Sequence, residues 1–227
     1  MDKIKIVVAT RENEKDFYGK TATGRSLSLY KMPALEIHTF FNNSLGLSKV
    51  YNKVIRESAH DPCMLIFMHD DLHILDYYWL QQIAHGLQHF QILGVVGSKR
   101  RVDRQSNWAF VDAEGTWDDP KNLSGIVGHG KGFPPQHLNA FGPPGQKVKL
   151  LDGLMLCAAS TTLVEHDLYF DEAFDFHFYD MDFCRQAEQK NLSCGTWPIS
   201  LIHESVGSAG SDAWKSSYEK YLNKWGS

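Results

Sequence analysis

The sequence lacks the features that mark several large classes of protein. No apolar run is long, and the first, Ile4 to Ala9, is too short for a signal-peptide core or a membrane span. The four cysteines show no C-x-x-C spacing, and Cys63 and Cys157 lie inside apolar runs, which favours free thiols in a reducing compartment. A net charge of only −4 gives no general attraction to nucleic acid. We therefore expect a cytoplasmic protein without a transmembrane segment or a nucleic-acid partner.

A dinucleotide-binding fingerprint is also missing. No G-x-G-x-x-G follows the first apolar run, and the glycines between Gly128 and Gly132 do not lie between a strand and a helix. This argues against a Rossmann dehydrogenase. Hydrophobic residues nevertheless make up 43% of the 227 residues, which is enough for a sizeable core and excludes a disordered chain.

Short apolar runs alternate with segments of helical period through the first half of the chain. The predicted strands are 4–10, 35–41, 63–68 and 92–96, with helices between the later ones near 47–55 and 80–87. A strand over 148–158, a helix beginning near Asp180, a strand over 194–202 and a final amphipathic helix follow. Such alternation predicts an α/β fold built on a largely parallel sheet.

The regular pattern breaks down between Ser98 and Gln146. Glycine and proline are dense from Gly125 to Gly145, and we expect this stretch to be a long loop. Long loops in compact domains often serve as lids, so the stretch is predicted to close over a bound ligand.

The strongest local signal is His69-Asp70-Asp71, directly after the strand 63–68. Ligands of open α/β sheets bind at the carboxyl ends of strands. Two adjacent carboxylates repel each other there, and a hard divalent cation such as Mg²⁺ or Mn²⁺ would relieve the repulsion. Helix capping by one of the aspartates is an equally open reading.

Other polar residues fall at strand ends in the same way. Thr10 and Arg11 follow the first strand, Asn42 follows the second, and His203 closes the last one. The planar guanidinium of Arg11 suits a phosphate or a carboxylate. His203 gains weight as a ligand only if it converges with Asp71. Each residue, taken singly, could equally be a turn or surface residue.

The order of these motifs resembles the nucleotide-sugar half of GT-A fold glycosyltransferases. The stretch from Gly46 to Lys53 is followed by a strand and then by a D-x-D-like acidic motif, here His-Asp-Asp. Leu151-Asp152-Gly153 and Asp180-Met181-Asp182 come later in the chain. The likeness is greatest to the family 2 type, including the streptomycin-biosynthesis StrF-like branch. It implies one domain over 1–227, a Rossmann-like mostly parallel sheet with helices on both faces. Residues 1–97 would bind the nucleotide-sugar, 98–210 the acceptor, and 211–227 would form the C-terminal helix.

The resemblance also implies roles for individual residues. Asp71, with Asp70 beside it on the donor, would hold Mn²⁺ or Mg²⁺ under the diphosphate of a nucleoside-diphosphate sugar, with His203 as a further ligand. Asp180 matches the base that deprotonates a hydroxyl acceptor, and transfer would proceed with inversion. The resemblance further implies that the donor is bound by Thr10, Arg11, Asn42 and Asn52. It places Asp152 and Gly153 on the acceptor side.

Asp182 lies two residues beyond Asp180, so in a helix the two side chains would point about 200° apart. We therefore expect a supporting role for Asp182, in a salt bridge near Arg185.

Two other functions stay open. A metal-dependent hydrolase could use His69-Asp70-Asp71 with His73 and the pair His85 and His89, because histidines at such spacing suit zinc. A non-catalytic nucleotide-sugar-binding domain could keep the same fold. Metal identity and turnover distinguish these possibilities.

Overall fold

The structure is a computed structural model that describes residues 3–205 and 210–226. Its strands, numbered in chain order, are β1 (Ile4–Ala9), β2 (Leu35–Phe40), β3 (Met64–Met68), β4 (Leu72–Ile74), β5 (Ile92–Gly94), β6 (Gly97–Ser98), β7 (Leu123–His129), β8 (His137–Gly142), β9 (Lys147–Val148), β10 (Leu150–Leu151), β11 (Met155–Ala159), β12 (Cys194–Thr196) and β13 (Leu201–His203). Its helices are α1 (Glu14–Lys20), α2 (Ala22–Leu27), α3 (Leu47–Glu57), α4 (Trp79–Gly86), α5 (Ser160–Glu165), α6 (Tyr179–Gln189) and α7 (Asp212–Trp225).

The strands form two sheets, which confirms the α/β class. The larger sheet has the order β2-β1-β3-β11-β5-β12-β9. It is mixed rather than mostly parallel, because β11 lies antiparallel between β3 and β5, and β9 lies antiparallel to β12. Only β1–β2, β1–β3 and β5–β12 are parallel pairs in it. Residues 98–154 separate β11 from the early strands, so local periodicity could not give its direction.

A second sheet has the order β10-β6-β7-β13-β4, with β8 added to β7. Its hairpin β7–β8 lies inside the stretch that the sequence predicts to be a loop, so that prediction is wrong. The glycines serve the hairpin: Gly125 has φ of +99° at a register shift in the ladder, and a Cβ there would collide with the carbonyl oxygen of Val95. Glycine inside a strand marks such bulges and close approaches.

Two predicted strands are each divided between the sheets. The predicted strand 148–158 is β9, β10 and β11, and the predicted strand 194–202 is β12 and β13. β10 and β13 belong to the smaller sheet. A bend within an apolar run leaves no trace in hydropathy, and the run therefore reads as one strand.

The predicted helices are present at the expected places. In α3 the buried positions include Leu47, Val50, Tyr51, Val54 and Ile55, which repeat every three to four residues. α7 packs Tyr218 and Tyr221 into the same apolar core that contains the larger sheet. All four cysteines are free, as predicted, and all are buried, which the apolar runs had indicated for Cys63 and Cys157. Among the described helices, none has the length and apolarity to cross a membrane.

Candidate active site

The turn after β3 and the end of β13 bring three possible metal ligands together. β13 pairs antiparallel with β4, so that His203 lies opposite Leu72 and the N–H of Glu204 donates to the carbonyl oxygen of Asp71 (3.0 Å). The ligand atoms of His69, Asp71 and His203 lie within 4.8 Å of one another. The expected convergence of His203 with Asp71 is therefore present in the fold.

Only one of the two carboxylate oxygens of Asp71 has a partner among the described residues. Its Oδ2 lies 3.3 Å from Nε2 of His203, whereas its buried Oδ1 has no hydrogen-bond partner in the described residues. Burial opposes ionisation of both side chains, yet their mutual attraction prevails, so the pKa of Asp71 is lowered and that of His203 is raised. An orphaned buried carboxylate oxygen beside two imidazoles is a donor set that fits a divalent cation.

Tyr179 orients the third ligand, His69. The Tyr179 hydroxyl donates to the carbonyl oxygen of Gly153 (2.7 Å) and lies 3.1 Å from Nε2 of His69. Because the Tyr179 hydroxyl donates its hydrogen to Gly153, it can only accept a hydrogen bond from His69. Nε2 of His69 is therefore the protonated ring nitrogen, and Nδ1 keeps a free lone pair. Burial lowers the pKa of His69 and so favours this neutral form.

The Asp70 carboxylate joins the ends of β1 and β3. Thr10 is 2% exposed, and its hydroxyl donates to Oδ2 of Asp70 (2.6 Å). Thr23 of α2 braces the turn between His69 and Leu72: its hydroxyl contacts the His69 carbonyl (2.7 Å) and accepts from the Leu72 N–H (3.0 Å). Nothing in the sequence around Thr23 indicates this role, because the contact spans 46 residues.

Asp180 lies at the start of α6, close to the acceptor-side segment. Its Oδ2 accepts from the N–H of Gly153 and its Oδ1 from that of Met181, both at 2.8 Å. Burial, and then the charge of Asp152, raise the pKa of Asp180 to about 7. The N-cap of α6 is Phe178. Asp180 therefore lies within the first turn of the helix and is not its N-cap residue.

Gly153 has no room for a side chain. A Cβ there would collide with the hydroxyl of Tyr179 and would lie 3.0 Å from Cβ of Asp180. The close approach explains why glycine stands here, and it links Asp180 through Gly153 and Tyr179 to His69. The acceptor-side pair Asp152 and Gly153 thus lies beside the predicted base.

Asp182 is buried away from Asp180, as the helical geometry predicts, but its partner is not Arg185. Its carboxylate is 0% exposed, forms an ion pair with Lys224 of α7 (2.6 Å) and accepts from Nε1 of Trp225 (2.8 Å). Arg185 instead lies over the ring of Trp225. The partner comes from a helix more than 40 residues away, which spacing along α6 could not reveal.

The structure places three predicted donor residues outside this cluster. Arg11 is exposed after β1, and Asn42 is exposed in a left-handed turn with φ of 50°. Asn52 is buried in α3, where its amide donates to the carbonyl oxygen of Phe170 (2.8 Å) and accepts from the Phe170 N–H (2.9 Å). These bonds fix α3 to the segment before α6.

The three further histidines of the hydrolase hypothesis, His73, His85 and His89, do not belong to the cluster found in the described residues. His85 and His89 each lie 5.3 Å from the Trp197 ring, centroid to centroid. The ring of His73 lies on β4, and its Nδ1 is buried without a partner in the described part of the chain.

A cleft of about 540 Å³ adjoins the cluster: His203 belongs to both, and Asp152 also lines the cleft. The other lining residues include an aromatic group, namely Trp108, Phe110, Trp117 and Phe141. Nε1 of Trp108 donates to Oδ2 of Asp152 (2.6 Å). These aromatics lie between Ser98 and Gln146, where the sequence shows no regular pattern, so nothing in their spacing pointed to a common surface.

Comparison with known proteins gives a family for almost the whole chain. The model of a family described as "Glycosyltransferase like family" matches residues 6–220. No curated protein matches significantly.

Solved structures of S. aureus TarS are similar in part. The chain aligns with TarS at 13% identity and a TM-score of 0.48, over 97% of this chain and 40% of TarS. With TarS 1–349 in complex with UDP, identity is 14% and the TM-score 0.48, over 89% and 60% of the two chains. With the UDP-GlcNAc complex, identity is 14% and the TM-score 0.47, over 94% and 61%. The chain thus spans about two to three fifths of these proteins.

Proposed function

The chain belongs to this glycosyltransferase family, and from that membership we propose that it transfers a sugar from a nucleoside-diphosphate donor to a hydroxyl acceptor with inversion. The observation that supports a site for this chemistry is the convergence of His69, Asp71 and His203 beside a cleft that His203 and Asp152 also line. Asp180 lies against the same segment and provides a carboxylate of suitable pKa.

The donor diphosphate would lie at the strand-end turn. His69, Asp71 and His203 would hold the divalent cation, and its charge would stabilise the diphosphate leaving group. Two imidazoles in the donor set suit Mn²⁺ better than Mg²⁺, which prefers oxygen ligands. Thr10 and Thr23 fix the turn through Asp70, His69 and Leu72, so that the ligands keep their geometry before the donor binds.

The acceptor would enter through the aromatic cleft. Asp180 would take the proton of the attacking hydroxyl, and a carboxyl with a pKa of about 7 is well matched to that task near neutral pH. Attack from the side opposite the leaving group inverts the anomeric centre. Asp152 raises the basicity of Asp180 by its charge.

The four free, buried cysteines support a reducing compartment, and we infer a cytoplasmic location from them.

Calorimetric titration tests the metal requirement of donor binding. ADP, CDP, GDP and UDP are each titrated with MnCl₂ and then with a chelator. We expect at least one to bind with Mn²⁺ and to lose about tenfold or more in affinity without it. Asp71→Asn should cause a similar loss, whereas Asp167→Asn, at an exposed residue, should bind as the wild type does. Equal affinity with metal and with chelator contradicts the metal site.

A metal-dependent hydrolase stays a second candidate, because two histidines and one carboxylate also suit catalytic zinc. Elemental analysis after dialysis separates the two functions. Stoichiometric zinc, with hydrolysis that no acceptor diverts, would favour the hydrolase. Weakly held Mn²⁺ and acceptor-dependent release of the diphosphate would favour the transferase.

A further inference from the structure

The cleft contains an exposed aromatic surface that the transfer chemistry itself does not need. Trp117 is 54% exposed, and its ring lies nearly parallel to that of Phe141, with centroids 5.7 Å apart and planes at 22°. Phe110 packs edge-on against Trp117, and Trp108 edge-on against Phe141, at 5.0 Å in both cases. A single exposed aromatic residue needs no explanation, but a group of four rings in mutual contact along a cleft is typical of a ligand-binding surface.

Hydrogen bonds connect this aromatic surface to Asp152, which directly precedes the glycine bonded to the predicted base Asp180. Trp108 contacts Phe141 and donates to Oδ2 of Asp152. Asp152 also accepts a hydrogen bond from the N–H of Leu154 (2.8 Å), so both of its carboxylate oxygens have partners. Its charge contributes to the raised pKa of Asp180. A ligand ring that packs on Trp117 and Phe141 therefore lies in a cleft that Asp152 also lines.

Polar groups interrupt the aromatic lining. The side-chain amides of Gln136 and Asn139 line the cleft and make no hydrogen bond within the described residues, and Lys131 at its rim forms no ion pair there. A purely apolar ligand would strip water from these groups without replacing their hydrogen bonds, at a free-energy cost. A ligand with one apolar face and a periphery of hydroxyl groups satisfies both parts of the lining.

We propose that the acceptor is a carbohydrate whose pyranose ring packs on Trp117 and Phe141 while its hydroxyl groups bond to the amides at the rim. The C–H groups on one face of a pyranose meet the electron-rich face of an aromatic ring favourably. This inference rests on the proposed transferase function, and it narrows the hydroxyl acceptor from any alcohol to a sugar. The cleft volume lies within the range of about 300–1,000 Å³ that is usual for small-molecule sites.

Saturation-transfer-difference NMR tests the proposal without any turnover. The probes are the methyl glycosides of glucose, galactose and N-acetylglucosamine, and disaccharides of these sugars. Each is measured alone and with MnCl₂ plus a mixture of ADP, CDP, GDP and UDP. We expect at least one sugar to receive saturation at its ring C–H protons. Trp117→Ala should weaken its binding roughly tenfold, and Trp117→Phe should restore most of the affinity.

Tyr77→Ala is the matched control, because Tyr77 is 80% exposed and does not line the cleft. It should bind sugars as the wild type does. Sugar affinity that is unchanged in Trp117→Ala, or the absence of any sugar signal in all conditions, overturns the proposal. Binding of an apolar dye that sugars do not displace also overturns it. Nucleoside-diphosphate titration of the same variants reports on the donor site separately, so failure of the transferase function is distinguishable from failure of the aromatic surface.

Discussion

The ion pair between Asp182 and Lys224 offers the sharpest test of how the C-terminal helix supports the site. Asp182 is fully buried in the first turns of α6, and Lys224 of α7 is 31% exposed. Lys224 also pairs with Asp171 (2.7 Å), and Trp225 adds a hydrogen bond to Asp182. Replacing the lysine in Lys224→Met keeps most of the side-chain volume and removes only the charge.

The size of the expected loss in the free energy of unfolding depends on the hydrogen bonds that Asp182 retains. Breaking a buried ion pair from one side costs roughly 3–5 kcal/mol, because the remaining charge is left uncompensated. Asp182 retains hydrogen bonds from Gln186 (2.7 Å) and Trp225 (2.8 Å), so we expect the lower end, about 3 kcal/mol. For a domain of this size that corresponds to a fall in Tm of roughly 6–12 °C.

The stability loss of Lys224→Met should depend on pH in a definite direction. Burial already raises the pKa of Asp182 above its usual 3.8, and the charge of Lys224 works against that rise. Without Lys224 the folded-state pKa rises further, so the folded state binds more protons than the unfolded state above pH 3.8. Stability is then lost as pH rises, and the deficit of Lys224→Met should be small near pH 4 and full at pH 7 and above.

Urea denaturation at several pH values measures this deficit. Lys215→Met is the control, because Lys215 is exposed on the same helix and its pair with exposed Asp212, at 3.9 Å, should contribute less than about 1 kcal/mol. The double variant Asp182→Asn/Lys224→Met should recover much of the loss, since no buried charge remains. A stability loss in Lys224→Met no larger than that in Lys215→Met at pH 7, or a loss that shrinks as pH rises, would contradict a stabilising buried ion pair.

Three further expectations concern the site itself. Turnover should rise with pH through about 7 as Asp180 ionises and then level off, and Asp180→Asn should lose roughly 10²-fold or more in turnover while nucleoside-diphosphate affinity stays constant; an unchanged rate removes Asp180 from the mechanism. Gly153→Ala should displace Tyr179 and lower Mn²⁺-dependent affinity, which calorimetry would show; wild-type affinity would mean that the two residues move apart freely. Limited proteolysis with proteinase K, which has little sequence specificity, should cut near Lys131, between β7 and β8, before it cuts within either strand, because exposed loop tips are cleaved first; early cuts inside the strands would contradict the hairpin.

Local periodicity by itself determined much of the secondary structure. The apolar spacing of α3 and α7 and the short runs of β1 to β3 depend on neighbours within a few residues, so they can be read directly. The same holds for the placement of His69-Asp70-Asp71 at a strand end, since it needs only the end of the run. Free cysteines followed likewise from their apolar surroundings.

Tertiary structure alone decided which of these residues meet. His203 reaches Asp71 because β13 pairs with β4 in one register, and a shift of one residue would turn its side chain to the other face. Asn52 was expected at the donor, and its amide instead holds the backbone of Phe170, 118 residues along the chain.

The glycine-rich segment is a second case in which contacts distant in sequence decided the structure. Composition predicted a loop there, but pairing with β13 and β6 supplied the hydrogen bonds that make β7 a strand. Lys224 reached Asp182 in the same manner, from the far end of the chain. Partners distant in sequence leave no periodic signal, so register, ion pairs and the aromatic cleft exist only once the chain has packed.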